Sequence, residues 1–168
     1  VTPDHPLWSH LRHAGISTRS LLEMVANPLE NAVVGIDYYL TSERLLDHRL
    51  ERYPISSHGG NGRDAYADVE AVSVLAEGID GIGSLLTEAW QRYKRPLAVT
   101  EAFLGAPRHD QVRWIQVIWD AAHVARARGI PVQSVTSWSL LGSYEWDSLV
   151  TRRSGRYEPG AFDLAAPG

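Results

Sequence analysis

Hydrophobic positions along this chain change their period several times, and the changes mark out alternating helices and strands. Pro6 to Ala14 reads as a short helix and Thr18 to Ala26 as a second. Ser17 or Thr18 caps the second, Leu21, Leu22 and Val25 recur at helical spacing, and Pro28 closes the segment. Ala32 to Tyr39 is apolar, rich in β-branched and aromatic residues and short for a helix, so it reads as a buried strand. From Leu40 to Tyr66 the periodicity is lost, and a long connection is expected there, carrying His48, Arg49, Arg52, His58 and the Gly59-Gly60-Asn61-Gly62 turn. Ile82 to Tyr93 sets Leu85, Leu86, Ala89, Trp90 and Tyr93 at amphipathic spacing, and Pro96 opens a strand that ends at Glu101. Asp110 to Arg128 is the strongest helical pattern. Val112, Ile115, Val117, Ile118, Trp119, Ala122 and Val124 are expected on or near one face of it, and Gly129-Ile130-Pro131 stops it. Val132 to Trp138 is the third strand.

Strand, helix, strand, helix, strand is the signature of parallel βαβ units, so the fold class is α/β. Three such strands leave two open edges, and a complete (β/α)8 barrel takes about 250 residues. The pattern therefore points to part of a larger TIM barrel, with a small open α/β sheet as the alternative. The whole of 1–168 is read as one partial barrel domain: leading helices in 1–31, three strand and helix units with their loops in 32–163, and a tail in 164–168. The first residue is Val, which hints at an upstream portion, although processing would leave the same start.

Composition narrows the partners. With 44% hydrophobic and 21% charged residues the chain has ordinary globular character, and a formal charge of -4 offers no basic field to a phosphate backbone, so nucleic acid is excluded as a partner. No run of about 18 apolar residues exists to span a bilayer, and Val1-Thr2-Pro3-Asp4-His5 does not begin a secretory signal. There is no cysteine, which removes disulfides, thiolate metal sites and thiol catalysis and fits a cytoplasmic protein.

In parallel α/β architectures the carboxyl ends of the strands and the loops after them form the reaction face. Glu101 ends its apolar strand there, as a working acid or as a surface carboxylate. Asp37 and Tyr39 share one face of their strand, since side chains alternate with period two. Tyr39 either donates a hydrogen bond to the Glu101 carboxylate or packs in the core. Trp138 stands at a strand exit, where an indole can offer an apolar plate to a sugar ring, and Glu145 beside Trp146 adds an acceptor for hydroxyls next to a second indole. Core filling is the ordinary alternative for the tryptophans, and a solvated loop position for Glu145. His10 and His13 lie one helical turn apart, but no third ligand stands at supporting spacing, so no metal is expected. Gly78-Ile79-Asp80-Gly81-Ile82-Gly83 does not fit a dinucleotide fingerprint, and no nucleophile elbow occurs.

At these residues the sequence resembles the family 1 glycoside hydrolases, the retaining β-glycosidases. Val34 to Ser42 is similar to the family's Gly-Ile-Asn-Tyr-Tyr-Thr-Ser strand, Thr100-Glu101 to the start of its Thr-Glu-Asn-Gly motif, and Trp138 to Trp146 to its Trp-Ser-Leu-Leu-Asp-Asn-Phe-Glu-Trp loop. The resemblance runs from about Val33 to Asp163. The chain also resembles a bacterial subgroup in which such a region precedes a sugar-nucleotide reductase of the dehydrorhamnose reductase type. The resemblance implies that the strands are the sixth to eighth of the barrel, that Glu101 is the nucleophile with Tyr39 as its hydrogen-bond partner, and that Asp37, Trp138, Glu145 and Trp146 bind substrate. It further implies a carbohydrate ligand, no cofactor, and a fused or associated reductase domain. The acid/base carboxyl that the family carries in an Asn-Glu-Pro motif does not occur in the 168 residues. Five positions depart from the family's pattern: Ala102-Phe103 follows Glu101 in place of Asn-Gly, Asp37 replaces Asn, and Gly142-Ser143 replaces Asp-Asn. These features leave two expectations: a barrel whose parent hydrolyses β-glycosides, and a noncatalytic carbohydrate-binding or sensing domain.

Overall fold

A computed structural model describes residues 1–146, 148 and 151–163. The chain divides into two compact units, Val1–Ala32 and Val33–Gly168. The first holds helices α1 (Leu7–His13) and α2 (Thr18–Ala26). Ser17 caps α2 by accepting the Ser20 amide at 3.0 Å, and Arg19 pairs with Glu23 one turn on at 2.8 Å. His10 and His13 lie on α1, and no group of three potential metal ligands occurs among the described residues.

The second unit is built on a three-stranded parallel sheet of β1 (Val34–Tyr39), β5 (Leu97–Phe103) and β6 (Val132–Ser137), in the order β1-β5-β6. Helices α4 (Ile82–Tyr93) and α5 (Arg108–Ala127) pack on the sheet and on each other. Leu86, Leu97, Val99, Ile118 and Val132 form the fully buried centre of this layer, with Tyr38 stacked on Trp114 at 5.4 Å. Their burial is the main driving force for the βαβ arrangement. The turn after α5 places Gly129 at φ 83°, a conformation that a side chain resists, which is why the helix stops there.

The strands carry one irregularity that decides which side chains face out. Ile36 pairs with Val99 but Asp37 pairs with Glu101, so Thr100 is an extra residue on β5. The pairing with β6 shifts over the same stretch, from Val99 opposite Val135 to Ala102 opposite Ser137. This is a β-bulge, and it turns Glu101 to the face opposite the helices while returning Ala102 to the core. Gly35 makes room for it: a Cβ there would lie 2.9 Å from Thr100 Cγ2.

Between β1 and α4 the expected long connection is instead largely structured. Strands β2 (Arg44–Asp47), β3 (His58–Gly60) and β4 (Ala65–Glu70) form an antiparallel sheet in the order β2-β4-β3, followed by the short helix α3 (Ala71–Val74). Asn61 turns the β3–β4 hairpin by accepting the amides of Arg63 and Asp64. Asp47, 4% exposed, accepts hydrogen bonds from the Arg49 guanidinium and backbone and from Tyr53, and these hold its carboxyl well below the ordinary value. One carboxylate closes the base of this excursion: Glu43 accepts the Tyr38 hydroxyl at 2.7 Å and the amides of Asp80 and Gly81 at 2.7 and 2.8 Å, at the start of α4. The Gly78–Gly83 stretch therefore spends two of its amides on Glu43.

The face expected on α5 is also corrected. Ile118, Ala122 and Ala125 are buried, while Val112, Val117, Trp119 and Val124 are 45–57% exposed, because only a narrow stripe of the helix meets the sheet. No helix among the described residues is long and apolar enough to cross a membrane.

The bulge yields a packing prediction. Gly35→Ala should cost about 1–3 kcal/mol through its collision with Thr100. Adding Thr100→Ala should recover part of that loss, so the two changes are non-additive in a denaturant-unfolding cycle. Full additivity would mean that Gly35 and Thr100 do not compete for space.

Candidate functional site

Five of the side chains at the carboxyl end of the sheet belong to one face and touch in pairs. The Tyr39 hydroxyl donates to Glu101 Oε2, and the Thr100 hydroxyl donates to Asp37 Oδ1 at 2.7 Å. Each carboxylate thus takes its hydrogen bond from the strand opposite. Asp37 and Thr100 are exposed, whereas Tyr39 and Glu101 are half-buried. Among the described residues neither carboxylate meets a basic side chain. Phe103, two residues beyond Glu101, packs its ring edge-on to Tyr39 with centroids 6.5 Å apart.

Phe103 joins this pair to an aromatic hollow. A pocket of about 290 Å³ is lined by Phe103, Trp138, Leu141, Tyr144, Trp146 and Pro159, among others. The indoles of Trp138 and Trp146 lie 5.5 Å apart and tilted by 55°. Trp138 is fixed to the strand ends by its amide, which donates to the Ala102 carbonyl at 3.0 Å, and the Trp138–Ser139 peptide is cis. The loop beyond it is strapped by β7 (Ser143–Tyr144) pairing with β8 (Tyr157–Glu158), and by Ala161 and Phe162 donating to Ser139 and Leu140. Gly142 has no room for a side chain, because a Cβ would fall 2.0 Å from the Tyr157 hydroxyl.

The sequence-predicted residues therefore fall into three places. Glu101, Tyr39 and Asp37 share the open face of the sheet, and Trp138 and Trp146 share the adjoining hollow. Glu145 lies elsewhere. It lines a separate hollow with Tyr144, Arg153 and Gly155, and its Oε1 accepts the amides of Ser154 and Gly155. Its backbone takes the left-handed conformation at φ 60°, a cost that these two charge-assisted bonds offset. Sequence reasoning missed Thr100, Phe103 and Glu43. Period-two alternation from Glu101 could have found Phe103, and a Glu at the parity of the apolar Leu97 and Val99 is a signal for the bulge that exposes Thr100; Glu43 depends on a long-range bond that leaves no local signal.

The chemistry of the pair follows from its surroundings. Burial, then the hydrogen bond to Glu101, then the charges of Glu101 and Asp37, push the Tyr39 hydroxyl well above the ordinary tyrosine value. The phenol therefore stays protonated and donating to Glu101 Oε2 across the whole neutral range. Polar acceptors on one side and indole plates on the other suit a molecule with both hydroxyls and an apolar face.

A search of solved structures finds the family 1 β-glucosidase from Thermotoga maritima, with a TM-score of 0.51 and 20% sequence identity over 79% of this chain. The match covers 30% of that chain's length. No protein-family model matches the sequence, and no curated protein does. At this identity the likeness is one of fold: the chain is α/β and builds part of a (β/α)8 barrel.

The phenol gives a spectroscopic prediction. A tyrosine with a raised value holds its proton in the folded state after the unfolded chain has released it, so its contribution to stability is complete below about pH 10 and is lost as pH rises beyond. In an ultraviolet titration of the folded protein, Tyr39→Phe should remove one of the late-ionising tyrosines. If it removes one that titrates near the ordinary value instead, the hydrogen bond to Glu101 does not operate in solution.

Proposed function

We propose that this chain is the carboxyl-terminal part of a retaining β-glycosidase barrel, its three parallel strands standing as the sixth to eighth, and that its parent hydrolyses the O-glycosidic bond of β-glycosides. The single observation that carries the reading is the Tyr39–Glu101 hydrogen bond on the open sheet face, next to the hollow of Trp138 and Trp146. The fold likeness to a β-glucosidase supports it.

In this reading Glu101 attacks the anomeric carbon of a bound sugar, a glycosyl-enzyme ester forms, and the bond to the leaving oxygen breaks. The leaving oxygen takes a proton from a second carboxyl group, which stands about 5–5.5 Å from the nucleophile in retaining enzymes. That acid comes from outside residues 1–168, and it then activates the water that hydrolyses the ester. Tyr39 holds the Glu101 carboxylate in place. Trp138 and Trp146 stack against the sugar, Asp37 accepts a hydroxyl, and Glu145 contributes from the loop that its Oε1 organises. No cofactor is needed. We place the protein in the cytoplasm, with a carbohydrate as ligand and with a fused or associated sugar-nucleotide reductase as a companion domain.

The departures around the acid favour a second reading. Ala102 is packed into the core and Phe103 walls the hollow, where the glycosidase pattern has Asn and Gly. A domain of this kind would bind or sense a sugar for the reductase without cleaving it.

Glu101→Gln in the full-length parent separates the readings. A hydrolase should lose about 10⁴-fold or more in kcat while sugar still quenches tryptophan fluorescence. A binder should show no turnover in either form and the same quenching. Absence of quenching by any glycoside would remove both.

A further inference from the structure

Tyr39 is the last residue of β1, and the pairing of the strands brings two side chains of β5 within its reach. Phe103 is its direct partner in the register, and Glu101, the partner of Asp37, lies on the diagonal. Alternation puts positions 37 and 39, like 101 and 103, on one side of the sheet, so all of these side chains share the open face. A long side chain on a sheet can meet either its direct or its diagonal neighbour. Tyr39 does both: its hydroxyl takes the diagonal and donates to Glu101 Oε2, while its ring meets Phe103 edge-on, at 6.5 Å and 73°.

The two rings are held unequally. Phe103 follows Ala102, which pairs with Tyr38 on one side and Ser137 on the other, and whose carbonyl accepts the Trp138 amide at 3.0 Å. Tyr39 instead leads out of its strand: its amide donates to Ser42 Oγ at 2.8 Å, and its carbonyl accepts the Ser42 amide at 3.0 Å. No other ring among the described residues packs on the phenol. A half-buried phenol at a strand end can leave its carboxylate for water, because the net gain of a protein hydrogen bond over one to solvent is modest. Swinging away from Glu101, along the strand, would carry the phenol toward the place that Phe103 fills. The glycosidase pattern has Gly where this chain has Phe103, so the ring is this chain's own.

We propose that Phe103 is a positioning residue, whose ring braces the Tyr39 phenol in the orientation in which its hydroxyl reaches Glu101. It acts through Tyr39 and touches no reacting atom. The same ring walls the hollow of Trp138 and Trp146, so the brace ties the acid and its phenol to that wall. The chemical purpose of the brace rests on the glycosidase reading, whereas the positioning itself is measurable without turnover.

The test follows the ionisation of Tyr39 in the full-length parent with its tyrosines replaced by difluorotyrosine, whose phenol ionises at lower pH because fluorine withdraws electrons. Fluorine NMR gives each phenol its own midpoint, and Tyr39 is assigned by its loss in Tyr39→Phe. Phe103→Ala should lower the Tyr39 midpoint by about 0.5–1 pH unit, the worth of one aromatic pair. Tyr38, on the helix side of the sheet, should keep its midpoint and so report an intact fold. Phe103→Tyr, which retains the ring edge, should leave Tyr39 unchanged. Lost burial alone would also lower the midpoint, so the substitution is repeated in Glu101→Ala, where there is no carboxylate to aim at. There Phe103→Ala should lose most of its effect. An equal shift with and without Glu101 would make Phe103 a mere cover for the phenol, and no shift in either would make it a bystander; each outcome overturns the proposal. If Phe103→Ala does not fold, Phe103→Leu, which keeps an apolar wall but lacks the ring edge, carries the same expectations. A parent with no turnover of β-glycosides whose Tyr39 midpoint still shows this dependence on Glu101 would lose the glycosidase reading and keep the brace.

Discussion

A carboxylate at the parity of a buried strand has to be moved or neutralised. Leu97 and Val99 are fully buried against the helices, and strict alternation would place Glu101 in the same layer. A charge there, without a partner, costs several kcal/mol. The extra residue at Thr100 removes the conflict by turning Glu101 to the opposite face, and Gly35 leaves the space that the extra residue needs. The placement of four consecutive residues follows from this one shift of register. Thr100 comes to rest against Asp37, Glu101 reaches Tyr39, Ala102 returns to the core, and Phe103 lands where it can touch Tyr39 and wall the hollow.

The two consecutive tyrosines of β1 show how the same strand serves both layers. Tyr38 points among the helices, stacks on Trp114 and gives its hydroxyl to Glu43, whose carboxylate also gathers the amides at the start of α4. Tyr39, one residue on, gives its hydroxyl to Glu101 on the open face. Both phenols are held well above the ordinary tyrosine value, first by burial and then by the carboxylate each one faces. Glu43 thus fixes the strand from behind while Tyr39 works in front. The excursion β2–β4 is anchored by the same carboxylate, so the geometry of the site and the attachment of the excursion rest on a common point.

The periodic elements were legible in the sequence because burial imposes their period. α2 and α4 match their expected spans, and the three parallel strands begin and end within two residues of expectation. What was not legible depends on contacts distant in sequence. A bulge is invisible to a pattern that assumes alternation, although a Glu at the parity of Leu97 and Val99 is a conflict that could have signalled one. Leu40 to Tyr66 lacks an apolar rhythm because its sheet is held by Asp47, Arg49 and the Asn61 turn more than by a core, so it read as loop. The α5 face was drawn too wide, since helix periodicity alone cannot say how much of an apolar surface a neighbour covers. For Glu145 the proximity to Trp146 in sequence says nothing of direction: its left-handed backbone sends the carboxylate to Ser154 and Gly155.

Parallel strands with helices on one side normally read as continuous hydrophobic runs, because both faces are buried. This sheet keeps that character only toward the helices. Its other face carries Gly35, Asp37, Thr100 and Glu101, and Thr136 is exposed on β6. Such a face gains nothing from being covered by more apolar protein: Asp37 and Glu101 would be desolvated with one hydroxyl donor apiece and no basic partner among the described residues. Its composition therefore suits a wet, polar interior better than a packed one. Where strands of a (β/α)8 barrel end in such residues, the side chains border the space above the strands and do not fill it. The polarity of the open face and the apolar hollow reached through Phe103 are thus complementary halves of one surface, and the bulge at Thr100 is what brings the carboxylate to the boundary between them.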